Sequence, residues 1–372
     1  MRPTIEIRSA PHVKGPRTVE QIMRHVVYSL LPICAFFVYQ YGVSALALIM
    51  VVTGVCIWTE RLFARTGTQS GNIADYSSVI TGLLLALTLP PGFPLWMAAV
   101  AAFISIALGK ALFGGIGFNV FNPALVGRAF AQAAFPTAIA TYTPSFLTGR
   151  AGEFIPSSLA LPLMQPADTA SWVQGMKLDA WTGATPLAQW KFEHMLAGVG
   201  DLLTSLGGNL PVGPSPVLIA LCGLYLALRR FMDWRIPTAV FGGAALTAWA
   251  LFLLDPTRFP SPMFSLLSGG LVLGAIYMAT DMATSPVTPR GMWVYGALIG
   301  FLTVIIRNFS GLPEGVMYAI LLGNAVTPLI ERVTQPTPFG KGASKKSRRA
   351  ASYSLHPGYI SRDGDVQERD KS

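Results

Sequence analysis

The chain is a succession of apolar stretches separated by short polar punctuation. Apolar residues run over about 26–41, 43–59, 76–91, 93–113, 120–143, 214–228, 237–254, 265–282, 292–307 and 314–331. A helix that crosses a bilayer needs roughly 20 such residues, so the pattern predicts about ten transmembrane helices. Some runs touch through Gly42 or the pair Pro90-Pro91, and 120–143 contains Arg128 and Pro136, so nine or eleven helices remain alternatives. One long hydrophilic stretch, 144–213, interrupts the series after the fifth run. It is rich in Pro, Ser, Thr and Gly, which predicts loops and short helices rather than a large independent domain.

Composition narrows the class. Of 372 residues, 52% are hydrophobic and only 12% charged. Soluble domains carry about 25% charged residues, so a soluble enzyme is excluded, and a disordered chain needs far lower hydrophobicity. The net charge of +9 does not point to nucleic acid, because the charges cluster at the ends of apolar runs. Cys34, Cys56 and Cys222 lie inside apolar runs without metal-ligand spacing, and the four histidines are scattered. Met1–Ala10 has no apolar core, so no cleavable signal peptide is expected.

Charge also fixes an expected orientation. With the N-terminus in the cytoplasm, ten crossings put 22 of the 27 basic residues inside, Lys110 and Arg128 among them. Five remain outside: Arg150, Lys177, Lys191, Arg258 and Arg307. Cytoplasmic loops are the basic ones, so both ends are expected inside and the insertion outside, in the periplasm of a double-membraned bacterium. The domains then read as a cytoplasmic tail (1–25), helices one to five (26–143), a periplasmic insertion (144–213), helices six to ten (214–331) and a basic tail (332–372). The tail segment KGASKKSRRAAS and the polar stretch beyond it read as disordered.

A faint internal repeat organises the membrane part. FGGIGFNVFNPALVGR (113–128) and FSGLPEGVMYAILLGNAVTPLIER (309–332) both open on Phe with small residues. Each later places Asn ahead of Pro: Asn122-Pro123, and Asn324 with Pro328. Five crossings per half make the halves opposite in orientation. Inverted repeats with broken helices are a common plan for proteins that carry something through their centre. The fold class is therefore an all-α polytopic membrane protein: about ten transmembrane helices in two inverted five-helix repeats, with an external loop insertion between them.

Several residues could carry chemistry. Thr185, in Asp179-Ala180-Trp181-Thr182-Gly183-Ala184-Thr185-Pro186, is a hydroxyl on a turn flanked by small residues, open to a modifying protein. A Thr-rich turn capping a short helix accounts for the same residues. Asn119 and Asn122, three apart, share a face if the run is helical. They offer amide donors and acceptors, and pairing to broken backbone is the alternative. Gly114, Gly115 and Gly117 read as packing glycines. Arg128 pairs with an anion near the inner face or snorkels. Asp281, in Thr280-Asp281-Met282-Ala283-Thr284-Ser285-Pro286, and Asp75 with Tyr76 are either interfacial caps or cation-handling groups. Glu314 reads as interfacial.

Two of these segments also resemble known signatures. Asp179–Thr185 is similar to the D-x-x-[S/T]-G-A-T pattern on which a flavin transferase attaches FMN to Thr through a phosphoester; Thr182 stands where Ser is usual, which keeps the hydroxyl. Phe113–Phe130 (FGGIGFNVFNPALVGRAF) resembles the motif FGGxGxNxFNPALxGRAF, and Leu89-Pro90-Pro91 looks like an accompanying turn. Both belong to the RnfD/NqrB family of redox-driven ion pumps, and the likeness covers about residues 15–340. The short N-terminal tail favours the RnfD branch over NqrB, the B subunit of the Na+-translocating NADH:quinone reductase.

The resemblance implies FMN bound covalently to Thr185 and a second, noncovalent flavin, riboflavin, near Asn119 and Asn122. It implies a bacterial inner-membrane subunit that relays electrons, coupled to Na+ or H+ transport, and that is not a complete enzyme alone. The implied partners are the other Rnf subunits (an external FMN-bearing one, and iron–sulfur and NADH- or ferredoxin-reactive ones) and a flavin transferase. A solute channel of the same five-plus-five architecture is the rival reading, and a pure scaffold a third. The Thr185 segment speaks against both, since neither has a use for a flavin tether.

Overall fold

The computed structural model describes residues 18–65, 76–115, 117–147, 149–162, 164, 172, 184–205 and 213–336. Among these every regular element is helical. Asp75, Asp179, Thr182, Lys177 and the basic tail lie outside the described residues.

Six helices are long and apolar enough to cross a membrane. They are α1 (Val19–Tyr41), α2 (Val43–Arg65), α4 (Leu95–Gly109, with a short 3-10 turn after it), α10 (Arg235–Leu254), α13 (Pro289–Phe309) and α14 (Val316–Thr334). The other apolar runs fold as shorter pieces. These are α3 (Ser77–Thr88), α5 (Pro123–Ala134) with α6 (Pro136–Ala140), α9 (Pro216–Leu228), and α11 (Pro262–Leu267) followed by α12 (Leu271–Leu273) and a π turn, Gly274–Met278. The insertion contributes α7 (Pro186–Glu193) and α8 (Val199–Thr204).

Local chemistry explains the ends. Thr18 and Gln21 form a reciprocal capping box, which starts α1 ahead of its apolar run. Asn122 caps α5 and Pro123 opens it, so the helix begins at the Asn-Pro step rather than at 120. Gly42 alone joins α1 to α2 at φ +71°, and a Cβ there would lie 1.8 Å from the Arg150 carbonyl oxygen. Small residues let α13 press on α10: a Cβ on Gly300 would meet the Val240 carbonyl oxygen at 2.2 Å.

The connections gather at two ends. At one end the His25 ring stacks on Phe231, 4.6 Å between centroids, Lys110 pairs with Glu60, and the Val287 amide bonds Glu331. At the other end Arg150 donates to the Tyr39 carbonyl, Gln40 to the Ser205 carbonyl, and Ser157 to the Gly92 carbonyl. That second end holds the insertion. α3, with 12 residues, is about 18 Å long, short of the roughly 30 Å hydrocarbon core. The turn after it, Leu89–Phe93, is buried. Irregular backbone at such depth survives only when covered by protein, and the insertion covers it.

Candidate functional site

Each end of the molecule opens into a cavity. The cavity at the insertion end, about 100 Å³, is lined by Thr185, Arg128, Glu314, Tyr142 and Thr88 among others. Thr185 is the N-cap of α7, its Oγ1 accepting from the Ala188 amide at 3.3 Å. It is only 8% exposed. The expectation of an open, exposed turn is thus corrected: Leu187, just beyond it, packs with Leu202 and Phe264 in a small core and carries Thr185 inward. Lys191 holds the far end of α7, donating to the carbonyls of Arg307 (2.8 Å), Ser310 and Leu312 (2.9 Å) where α13 ends. Burial pulls its ammonium below the usual lysine range, while the three carbonyl acceptors keep it hydrogen-bonded.

Arg128 corrects a second expectation. It does not flank the inner turn with Lys110. Because α5 starts at Pro123, Arg128 stands more than a turn further along and joins the insertion end. There it donates to the Thr88 carbonyl and pairs with Glu314 at 3.0 Å. Glu314, expected to be merely interfacial, is its counter-ion. Arg307, 3% exposed, donates to the carbonyls of Ser265 (2.6 Å) and Ser268 (3.0 Å), and its Nε has no hydrogen-bond partner.

The cavity at the opposite end is larger, about 350 Å³, within the usual size of small-molecule sites. Asn119, Asn122, Lys110, Tyr277 and Asp281 line it with apolar residues of α1, α3 and the loop after α9. Asn119 and Asn122 do meet at one cavity, but not on one helix face. Asn119 lies in the loop before α5, its Nδ2 donating to the Phe121 carbonyl at 3.3 Å. The Asn122 Oδ1 accepts from the Ala124 amide at 3.0 Å, and its Nδ2 donates to the Met278 carbonyl at 3.1 Å. The glycines ahead of it force this loop: Gly114, Gly115 and Gly117 all have positive φ. Asp281 closes a turn, accepting from the Ala283 amide at 3.4 Å and from Thr284 Oγ1 at 3.3 Å.

Asn122, at the larger cavity, also meets Asn324 of α14. With the Asn324 amide oriented as its neighbours require, its oxygen accepts from the Asn122 backbone N–H at 3.1 Å and its nitrogen donates to Tyr295 Oη at 2.6 Å. Sequence reasoning missed Arg307, Lys191 and Tyr295 as parts of these sites. Arg307 and Lys191 read as topology charges, and nothing local distinguishes a buried arginine at a helix end from a solvated one. Tyr295 lies within an apolar run.

Among the described residues no group of His, Cys, Asp and Glu could hold a metal ion. Helical throughout its described residues, with six helices long and apolar enough to cross a membrane, the molecule is of the class of multi-pass membrane proteins. Comparison with known proteins gives the family: residues 6–340 match its sequence model, and the chain belongs to the NQR2, RnfD, RnfE family. It is 36% identical to the D subunit of the proton-translocating ferredoxin:NAD(+) oxidoreductase complex of Clostridium ljungdahlii, over 90% of this chain and 96% of that protein. It is 35% identical to the D subunit of the Na(+)-translocating ferredoxin:NAD(+) oxidoreductase complex of Acetobacterium woodii, over 93% and 98%. With the D subunit of the ion-translocating oxidoreductase complex of Alcanivorax borkumensis it shares 34% over 91% and 97%.

Proposed function

We propose that this chain is the D subunit of an ion-translocating oxidoreductase complex and relays electrons between partner subunits on two flavins. Thr185 carries FMN through a phosphoester, and the cavity of Asn119 and Asn122 takes riboflavin noncovalently. The observation that carries the reading is the position of Thr185: its hydroxyl lines one cavity, both asparagines line another, and α3 and α5 contribute side chains to both. The names of the relatives support this D subunit over the B subunit of the quinone reductase.

The residues fit the groups. An arginine in the Thr185 cavity suits a phosphoryl oxygen, and amides in a mostly apolar cavity suit the polar edge of a flavin ring. A bound flavin supplies one- and two-electron carriage. The chain's residues position it: Lys191 fixes α7 and with it Thr185, while the insertion covers the cavity against water. The connections at two ends support ten passes in two inverted halves, with the insertion in the periplasm and both termini in the cytoplasm of a bacterial inner membrane. The implied partners are the other subunits of the complex, with a flavin transferase for maturation.

The test is in-gel flavin fluorescence after denaturation, on the complex coexpressed with a flavin transferase. The wild-type subunit fluoresces, and Thr185→Val abolishes the signal and the complex's electron transfer while the subunit still assembles. Covalent flavin at wild-type occupancy in Thr185→Val would refute the assignment.

A further inference from the structure

Among the described residues, two buried arginines and a half-buried lysine stand around the Thr185 cavity, whose lining holds one carboxylate, Glu314. Arg128 lines it at 5% exposure. Arg307 stands just behind the cavity wall: an atom added at Cα of Gly269, which lines the cavity, would lie 3.2 Å from its terminal nitrogen. Lys191 sits on α7, whose N-cap is Thr185. Against these three cations, Glu314 is the only carboxylate in an ion pair with any of them among the described residues. Among the described residues the hydrogen bonds of Arg307 and Lys191 go to backbone carbonyls, and the Arg307 Nε is buried without a hydrogen-bond partner. Burying a cation without a counter-charge is costly, and in a low-dielectric surround such charges act over several ångströms. Arg307 is the buried cation without an ion-pair partner among the described residues, and with Arg128 it leaves this site room for an anion.

We propose that this cluster is an anion site that receives the phosphoryl group of the flavin mononucleotide, with Arg128 as the contacting residue and Arg307 and Lys191 supplying the field; the inference rests on Thr185 as the attachment residue. The guanidinium of Arg128 offers several N–H donors in a fork matched to phosphoryl oxygens, and Glu314 competes for that fork. The site holds the nucleotide by its charge beside Thr185, independently of the covalent bond. It therefore discriminates FMN from riboflavin, which lacks the phosphate.

The experiment removes the bond and keeps the site. Complex carrying Thr185→Val is stripped of noncovalent flavin and titrated with FMN and with riboflavin, following flavin fluorescence. FMN binds on the order of tenfold more tightly than riboflavin. Arg128→Gln in the Thr185→Val background abolishes that difference, Arg128→Lys keeps part of it, and Glu314→Gln widens it. The opposite cavity takes riboflavin alike in every variant, so its component is fitted separately and only the remaining site is compared. Equal binding of the two flavins in Thr185→Val, or a difference unchanged by Arg128→Gln, overturns the anion site. Should Arg128→Gln fail to assemble, the Glu314→Gln arm decides, since an unchanged or narrower difference there overturns it equally. Failure of the underlying reading is a separate result: it shows as a wild-type subunit without in-gel fluorescence.

Discussion

At the scale of single residues, Asn122 serves two ends at once. Its oxygen caps α5 and its nitrogen reaches the Met278 carbonyl, so its substitutions separate into two effects. Asn122→Leu loses the cap, which costs about 1 kcal/mol, and leaves the Met278 carbonyl without its donor. Asn122→Ser keeps a capping oxygen on a shorter side chain and loses only the reach to Met278. Thermal unfolding of the purified complex should show Asn122→Ser lowered by the lost Met278 bond and Asn122→Leu lowered further by the lost cap. Extracted riboflavin should fall in Asn122→Ser and in Asn119→Leu, with covalent FMN retained in both. Riboflavin unchanged in both variants would leave the asparagines with backbone roles alone. The residue types were legible in the sequence; their bonding was not, because the Met278 partner is distant along the chain.

At the scale of elements, α7 owes its position to one lysine and a few apolar contacts. α7 has eight residues, too few to be stable alone, since isolated helices shorter than about 12 residues are marginal. It is held by Leu187 against Phe264 and by Lys191 on three carbonyls at the end of α13. Lys191→Met keeps the aliphatic stem and removes the donors, leaving those carbonyls unsatisfied at about 1–3 kcal/mol. Limited proteolysis of the insertion should speed up, and covalent flavin should drop although Thr185 is intact. Flavin content and proteolysis at wild-type levels would show that α7 is fixed by packing alone. The apolar runs were readable because bilayer-length hydrophobicity is a property of the sequence. The shortness of α3, α5 and α9 was not, because a run of suitable composition does not reveal where a cap or a Pro stops the helix.

At the scale of the whole molecule, the two-ended sorting of the connections makes a topological prediction. Reporter fusions at Lys191 should read outside and fusions after Lys341 inside. An inside reading at Lys191 would place the Thr185 cavity on the cytoplasmic face and break the ten-pass arrangement. The positive-inside pattern survives the relocation of Arg128, because that residue is neutralised by Glu314 inside the protein and is not a loop charge at all.

The sequence by itself determined the membrane class, the apolar runs and the two motifs, all of which rest on composition and local pattern. It also offered Asn122 and Asn324 as a matched pair. Only the tertiary structure decided that those asparagines touch, that Thr185 is drawn into a cavity with Arg128, that Arg307 is buried behind its wall, and that Lys191 ties α7 to the end of α13. The physical reason is common to all four. Whether a polar side chain faces water or the interior depends on which distant segment covers it, and a hydrophilic loop folded back over short helices leaves no mark in its own composition.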